Sequence, residues 1–127
     1  NLKDRTIKWT KELAGYAFDS IISRNGTLYI QAKDIYAIDP TTSKTLWQIN
    51  SKTPEGFCRG AIALSENTLF ATEQSGRLIS ANLNDGTFLK EFDFKESVRS
   101  PLTLSGDILF MPTIAKRIYA IEVSKFK

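Results

Sequence analysis

Apolar residues recur along this chain in short alternating runs, and each run is closed by a turn rich in Gly, Asn, Asp, Ser or Pro. Thr27-Leu-Tyr-Ile-Gln31 and Ile35-Tyr-Ala-Ile-Asp39 are made of β-branched and aromatic residues, with Lys33-Asp34 as a tight turn between them. Asn25-Gly26 is a strong hairpin signal, because both residues adopt positive φ readily. The pattern predicts strands over 6–9, 20–23, 27–31, 35–39 and 45–49, with residues 15–19 as a loop. A second set follows over 61–65, 68–72, 77–81 and 87–92, and a third over 102–104, 108–111 and 117–121. Nothing sustains a helical period; the nearest stretch, 12–18, is short and contains Gly15.

The strands repeat. Leu28-Tyr29, Leu69-Phe70 and Leu109-Phe110 hold equivalent places at spacings of 41 and 40, and Ile35–Asp39 returns as Ile118-Tyr-Ala-Ile-Glu122. A period near 40 with four short strands per unit is the signature of a β-propeller blade, which buries its faces only against neighbouring blades. The predicted class is therefore all-β: a propeller arc of about three four-stranded antiparallel blades. Copy 1 covers 10–47, copy 2 covers 48–90, and a partial copy 3 covers 91–127. Residues 1–9 read as the last strand of a neighbouring blade. Three blades fall short of the four to eight typical of closed propellers and leave strand edges open. Two expectations follow. The chain is a piece of a longer propeller, or its N-terminal strand completes the last blade of the same ring or of a partner chain. That partner would be another polypeptide or a second copy giving six blades.

One segment narrows the type of repeat. Ala37-x-Asp39-x-x-x-Ser43-Lys44-x-x-Trp47 resembles the tryptophan-docking motif of the pyrroloquinoline-quinone-type (PQQ-like, BamB-like) propeller repeats, Ala-x-Asp-x-x-x-Gly-Lys-x-x-Trp. Ser43 stands where that family has glycine. The second copy keeps Gly86 but has Ser80, Asn82 and Lys90 in place of Ala, Asp and Trp; the third has Ala120 and Glu122. Asn25-Gly-Thr-Leu-Tyr-Ile30 and Ser100-Pro101 are also similar to the family's strand openings. The resemblance implies that Trp47 packs between adjacent blades, with Ala37, Asp39 and Gly86 shaping the receiving turns. Trp9 is matched to Trp47 one repeat earlier.

Composition removes several chemistries. The chain has 127 residues, no histidine and a single cysteine, Cys58. Every Ser-His-Asp or Cys-His arrangement is thus excluded within it, as are an internal disulfide and a thiolate zinc site. Cys58 reads as a packing residue beside Arg59, with activation by that arginine as the sharper alternative. The net charge of +3 is mild, and no basic run is interleaved with aromatics, so nucleic acid is not an expected partner. No apolar run approaches the roughly 18 residues of a transmembrane helix. The acidic group Glu91, Asp93 and Glu96 lacks the spacing of a calcium cage.

What remains is surface. Arg59 and Arg99 lie one repeat apart, just before the innermost strands of two copies, with Asp19 at the corresponding place in the first. The resemblance sets these three near the mouth of the central channel, where two arginines can hold a carboxylate or phosphate; the competing reading is structural ion pairing with Asp19, Glu55 or Glu96. Tyr16, Phe18 and Phe57 are loop aromatics, open either to a partner or to packing on the blades. No catalytic, cofactor-binding or metal-binding residue is assigned, and no cofactor is expected. The resemblance implies a non-catalytic, protein-binding scaffold similar to the BamB-type outer-membrane assembly factors, in the bacterial periplasm or cell envelope. Two alternatives stand beside it: a fragment of a quinoprotein dehydrogenase, whose calcium site, catalytic Asp and adjacent cysteines have no counterpart here, and a ligand-sensing propeller domain of a larger enzyme.

Overall fold

The computed structural model of the protein describes residues 6–13 and 20–126, and for residues 58–61 the backbone alone. Eleven strands in the described residues form three antiparallel sheets. The first holds β1 (Ser20–Arg24), β2 (Thr27–Gln31), β3 (Ile35–Ile38) and β4 (Thr45–Ile49), paired in that order. The second holds β5 (Phe57–Leu64), β6 (Thr68–Glu73), β7 (Arg77–Asn82) and β8 (Phe88–Asp93), again in order. The third has β9 (Thr103–Ser105), β10 (Ile108–Pro112) and β11 (Ile118–Glu122), with β10 in the middle. The first strands approach one another, β1 against β5 and β5 against β9, so consecutive sheets stand face to face. This is the blade arrangement that the 40-residue period predicts.

The two-residue periodicity of the strands explains how one sheet serves two neighbours. In β6, Leu69 and Ala71 pack toward the first sheet with Tyr29, Ile35, Ala37 and Ile79, while Phe70 packs toward the third with Leu78, Leu109 and Met111. Every residue of β6 is buried as a result, and every residue of the outermost strand β8 is exposed. The sheet between two neighbours therefore has a wholly buried strand, polar residues Thr68, Thr72 and Glu73 included, and a wholly exposed one at its rim.

Beyond one-residue differences at strand ends, three features depart from the sequence pattern. β5 opens at Phe57, ahead of the predicted 61, because a register shift between Phe57 and Ile62 lets the strand continue past an irregularity. Thr6–Trp9 is not a strand: it has no sheet neighbour among the described residues, and Ile7 is 77% exposed. Finally, a short 3-10 turn at Val123–Lys125 follows β11; its Val123 is buried against the second sheet, with Phe126 packed beside it.

Candidate functional site

Two regions carry specific side-chain geometry: the seams between blades and the rim formed by the loops between them. At the first seam, the Trp47 indole N–H donates to the Leu83 carbonyl at 3.2 Å, across 36 positions of sequence. The indole lies directly over Gly86, where a Cβ would come within 2.7 Å of Trp47 Cδ2. Gly86 has φ +75°, so the position requires both the missing side chain and the left-handed backbone. Ala37 faces Trp47 across the β3–β4 pair and is fully buried, and Tyr29 lies with its ring centroid 6.0 Å from that of Trp47.

The receiving turn is built twice by the same bonds. Ser43 N–H donates to Asp39 O at 2.8 Å and Gly86 N–H to Asn82 O at 2.9 Å. Asp39 Oδ1 accepts from Thr41 N–H and Asn82 Oδ1 from Asn84 N–H, each at 2.8 Å. Asp and Asn suit this place because a short side-chain acceptor can close such a turn. Ser43 takes φ +64°, the left-handed conformation that glycine holds in the second copy. On that first turn the Trp9 indole N–H donates to Pro40 O at 2.7 Å, and Lys11 Nζ donates to Ser43 O at 2.7 Å. Pro40 follows Asp39 as Leu83 follows Asn82, so Trp9 meets the first blade as Trp47 meets the second.

The next seam is made differently. Lys90 stands opposite Ser80, in the register of Trp47 opposite Ala37. Lys90 Nζ donates to Lys125 O at 3.2 Å, and the buried Ser80 hydroxyl donates to Phe126 O at 2.7 Å. Here the segment after β11 reaches back onto the second blade, and Phe126 supplies apolar contact. The position of Lys90 gave no sequence signal for this, since the partner lies 35 residues later.

The rim is a run of backbone bonds from blade to blade. Phe57 N–H donates to Lys33 O, Gln74 N–H to Gly56 O, Phe94 N–H to Gly76 O and Val98 N–H to Gln74 O, at 3.0–3.1 Å. A Cβ on Gly76 would meet Glu96 O at 2.4 Å, so this turn too depends on glycine. Charges flank the run. The carboxylate of Glu73, fully buried, accepts from Lys52 N–H at 2.5 Å and pairs with Arg77 Nη1 at 3.3 Å, while the other face of Arg77 bonds Glu91. Glu96 accepts from the Tyr119 hydroxyl, from Arg117 Nε at 2.8 Å and from Thr113 Oγ1 at 3.2 Å. The Tyr119 hydroxyl, and after it Arg117, hold the Glu96 carboxyl below the usual glutamate range. Hydrogen bonding to Glu96 in turn raises the Tyr119 phenol. Arg77 does the same to Glu91 as Arg117 does to Glu96.

These carboxylates are engaged by cations and backbone donors, not gathered around a shared point. Among the described residues, no three His, Cys, Asp or Glu side chains are placed to hold a metal ion. Of the predicted surface residues, Asp19, Tyr16 and Phe18 lie outside the described residues, as do the side chains of Arg59 and Cys58. Arg99 is exposed in the segment before β9. Phe57 is only 5% exposed and packs in the core between the first two sheets, so the reading of it as a partner-binding aromatic gives way to the packing one. Its N–H donates to Lys33 O, and its ring packs with the core cluster of Tyr29, Ile35 and Ile62.

Comparison with known proteins agrees with this architecture. The family described as outer membrane protein assembly factor BamB matches residues 31–125. No curated protein matches the sequence. Among solved structures, BamB from Moraxella catarrhalis is similar at a TM-score of 0.75 and 15% identity, over 94% of this chain and 38% of that one. The computationally designed Ika4 protein is similar at a TM-score of 0.71 and 14% identity, over 83% of this chain and 65% of that one. A europium-containing methanol dehydrogenase is similar at 0.64 and 16%, over 85% of this chain and 22% of that one. The chain spans less than two thirds of each of these structures, and at such identities the likeness is one of fold.

Proposed function

The chain belongs to the outer membrane protein assembly factor BamB family, and from that premise we propose that it is a non-catalytic, protein-binding propeller module. The observation that carries the reading is the family match over residues 31–125, joined to a surface in which the rim carboxylates are already bound by Arg77, Lys52, Arg117 and Tyr119. Such a rim offers shape and hydrogen bonding, the properties of a rigid frame that presents loops to a partner.

The surface offered to that partner includes β8, whose Phe88, Leu89 and Phe92 are 47%, 39% and 56% exposed on the outside of the second blade. Phe92 continues into a row with Phe94 and Tyr119, at centroid distances of 4.8 and 4.6 Å. Exposed aromatics set among charges (Lys90, Glu91, Asp93) suit a protein interface better than a small-molecule site. The proposed setting is the bacterial periplasm or cell envelope, where assembly factors of outer-membrane proteins act.

The alternative, part of a quinoprotein dehydrogenase, shares the fold and predicts different binding. Titration of the purified chain with pyrroloquinoline quinone and calcium, followed by absorbance, separates the two. The scaffold reading expects no saturable spectral change. Tight one-to-one binding of the quinone would sink it. Cross-linking of wild type and a Phe88→Ser, Phe92→Ser variant to envelope proteins then tests the β8 surface, with adducts lost in the variant.

A further inference from the structure

Two dipeptides in the chain join Asn or Asp to a following glycine, Asn25-Gly26 and Asp85-Gly86, and the fold treats them oppositely. Asn25-Gly26 is the two-residue turn between β1 and β2, closed by the pairing of Arg24 with Thr27. Asn25 at φ +49° and Gly26 at φ +76° give the left-handed pair that such a hairpin favours. Both residues are exposed, and a Cβ on Gly26 would meet nothing within 4 Å. Among the described residues, Gly26 N–H takes part in none of the backbone bonds that tie turns and loops.

Asp85-Gly86 is tied down instead. Gly86 N–H donates to Asn82 O at 2.9 Å, Asp85 Oδ1 accepts from Thr87 N–H at 2.8 Å, and the Trp47 indole covers the glycine. Asn50 precedes another small residue, Ser51, whose N–H is likewise engaged, donating to Asp34 Oδ1 at 2.8 Å. We propose that Asn25 is a site of spontaneous covalent modification in the folded protein, an intramolecular deamidation carried out by the Gly26 nitrogen.

The Gly26 nitrogen, giving up its proton, bonds to Asn25 Cγ. The Cγ–Nδ2 bond then breaks, ammonia leaves with that proton, and a succinimide ring joins the two residues. Water opens the ring at either carbonyl, giving aspartate or isoaspartate with no change of oxidation state. Glycine matters on the attacking side, since its nitrogen is uncrowded by a β-carbon and its backbone is free to turn. Ring closure requires rotation about the Asn25 backbone, and the open space around Gly26 offers no packing to resist it. The location gives the reaction a consequence. Arg24, next to Asn25, donates through Nη1 to Ser65 O at 2.6 Å and through Nη2 to Leu64 O at 3.5 Å, linking the first blade to the second. Isoaspartate routes the main chain through an extra methylene, which a two-residue turn of fixed register does not absorb. Its formation therefore loosens the Arg24 link. This chemistry is independent of the scaffold reading.

Ageing of the folded chain at mildly alkaline pH, followed by peptide mapping with mass spectrometry, tests the proposal. Labelling by isoaspartyl methyltransferase distinguishes the two products. The Asn25 amide is lost at least about tenfold faster than that of any other asparagine, because only Asn25 precedes glycine. Asp85 gives no isoaspartate in the folded chain, and gives it once urea removes the Trp47 contact. Asn25→Gln abolishes the principal product, since glutamine closes only a larger and slower ring. The isoaspartyl fraction melts below the untreated protein, and Asn25→Asp, which adds the charge without the methylene, melts above that fraction. An Asn25 that survives in the folded chain but reacts in urea would overturn the proposal, and so would equal loss across the other asparagines. Isoaspartate forming in the folded chain at Asp85 as fast as at Asn25 would remove its geometric basis. An unchanged melting point in the isoaspartyl fraction would disprove the link to Arg24.

Discussion

Trp47 and Gly86 meet across the first seam: the indole lies where a β-carbon on residue 86 would stand, and its N–H reaches the Leu83 carbonyl three residues before that glycine. The two residues form one joint, so changing either disturbs the same contact. Trp47→Ala empties a site where a large aromatic is packed, and about 3–5 kcal/mol is expected to be lost. Gly86→Ala forces the indole aside and places a side chain at φ +75°, with a loss of about 2 kcal/mol or more. Because the sites share one contact, the double variant is less destabilised than the two single losses added together. Urea denaturation midpoints of the three variants check this, and strict additivity would show that the joint is not shared.

Ser43 tests the same turn from the other direction. It occupies φ +64° with a β-carbon, where the second copy uses glycine. Left-handed backbone costs an L-residue about 1–2 kcal/mol, and relieving it with glycine is offset by about 0.5–1 kcal/mol because glycine loses more chain entropy on folding. Ser43→Gly is therefore expected to stabilise the protein by up to about 1 kcal/mol, seen as a higher thermal midpoint. A lower midpoint would mean that the serine side chain makes a contact worth more than the backbone strain.

The second seam depends on the Ser80 hydroxyl. It is buried and donates to Phe126 O, so Ser80→Ala leaves that carbonyl without its donor. A loss of about 1–2 kcal/mol is expected, with faster amide exchange confined to Val123–Phe126. Exchange unchanged in that segment would show that Phe126 is held by packing alone.

Glu96 ties the rim to β11 and gives stability a pH dependence of known sign. Its carboxyl is lowered by Tyr119 and Arg117, so its contribution is complete above the ordinary glutamate value, about 4.3, and is lost as pH falls through the lowered folded value. Tyr119 is raised, so its contribution is complete below about pH 10 and is lost as pH rises through the raised folded value. The stability difference between wild type and Glu96→Gln is expected to be flat near neutrality and to shrink at both extremes. Denaturation midpoints across pH measure it; a difference that stays constant down to full protonation would remove Glu96 from the acid response.

How much was legible in the sequence differs from element to element. Leu69-Phe70-Ala71 alternates between two apolar faces, and its recurrence at about 40 residues is enough to specify stacked blades, because period and face are local properties of the chain. The receiving turns were equally plain, since Asp39, Asn82 and Gly86 act on atoms within a few residues. Phe57 shows the limit. Its sequence neighbourhood is polar and loop-like, and only the fold brings its ring against residues as distant in sequence as Tyr29 and Ile35. Thr6–Trp9 shows it again: the alternation of a strand is present, but the segment joins none of the three sheets.

By itself, then, the sequence determined the repeat, the all-β class and the absence of histidine from the chain. Those follow from short-range periodicity and residue type. Only the tertiary structure decided which charges pair across the rim and how Phe126 and Ser80 close the seam that Lys90 leaves without an indole. Those depend on distances between residues far apart in the chain, which no local pattern encodes. For Trp47 the two levels meet: the sequence marks the residue, and the fold brings it to Gly86.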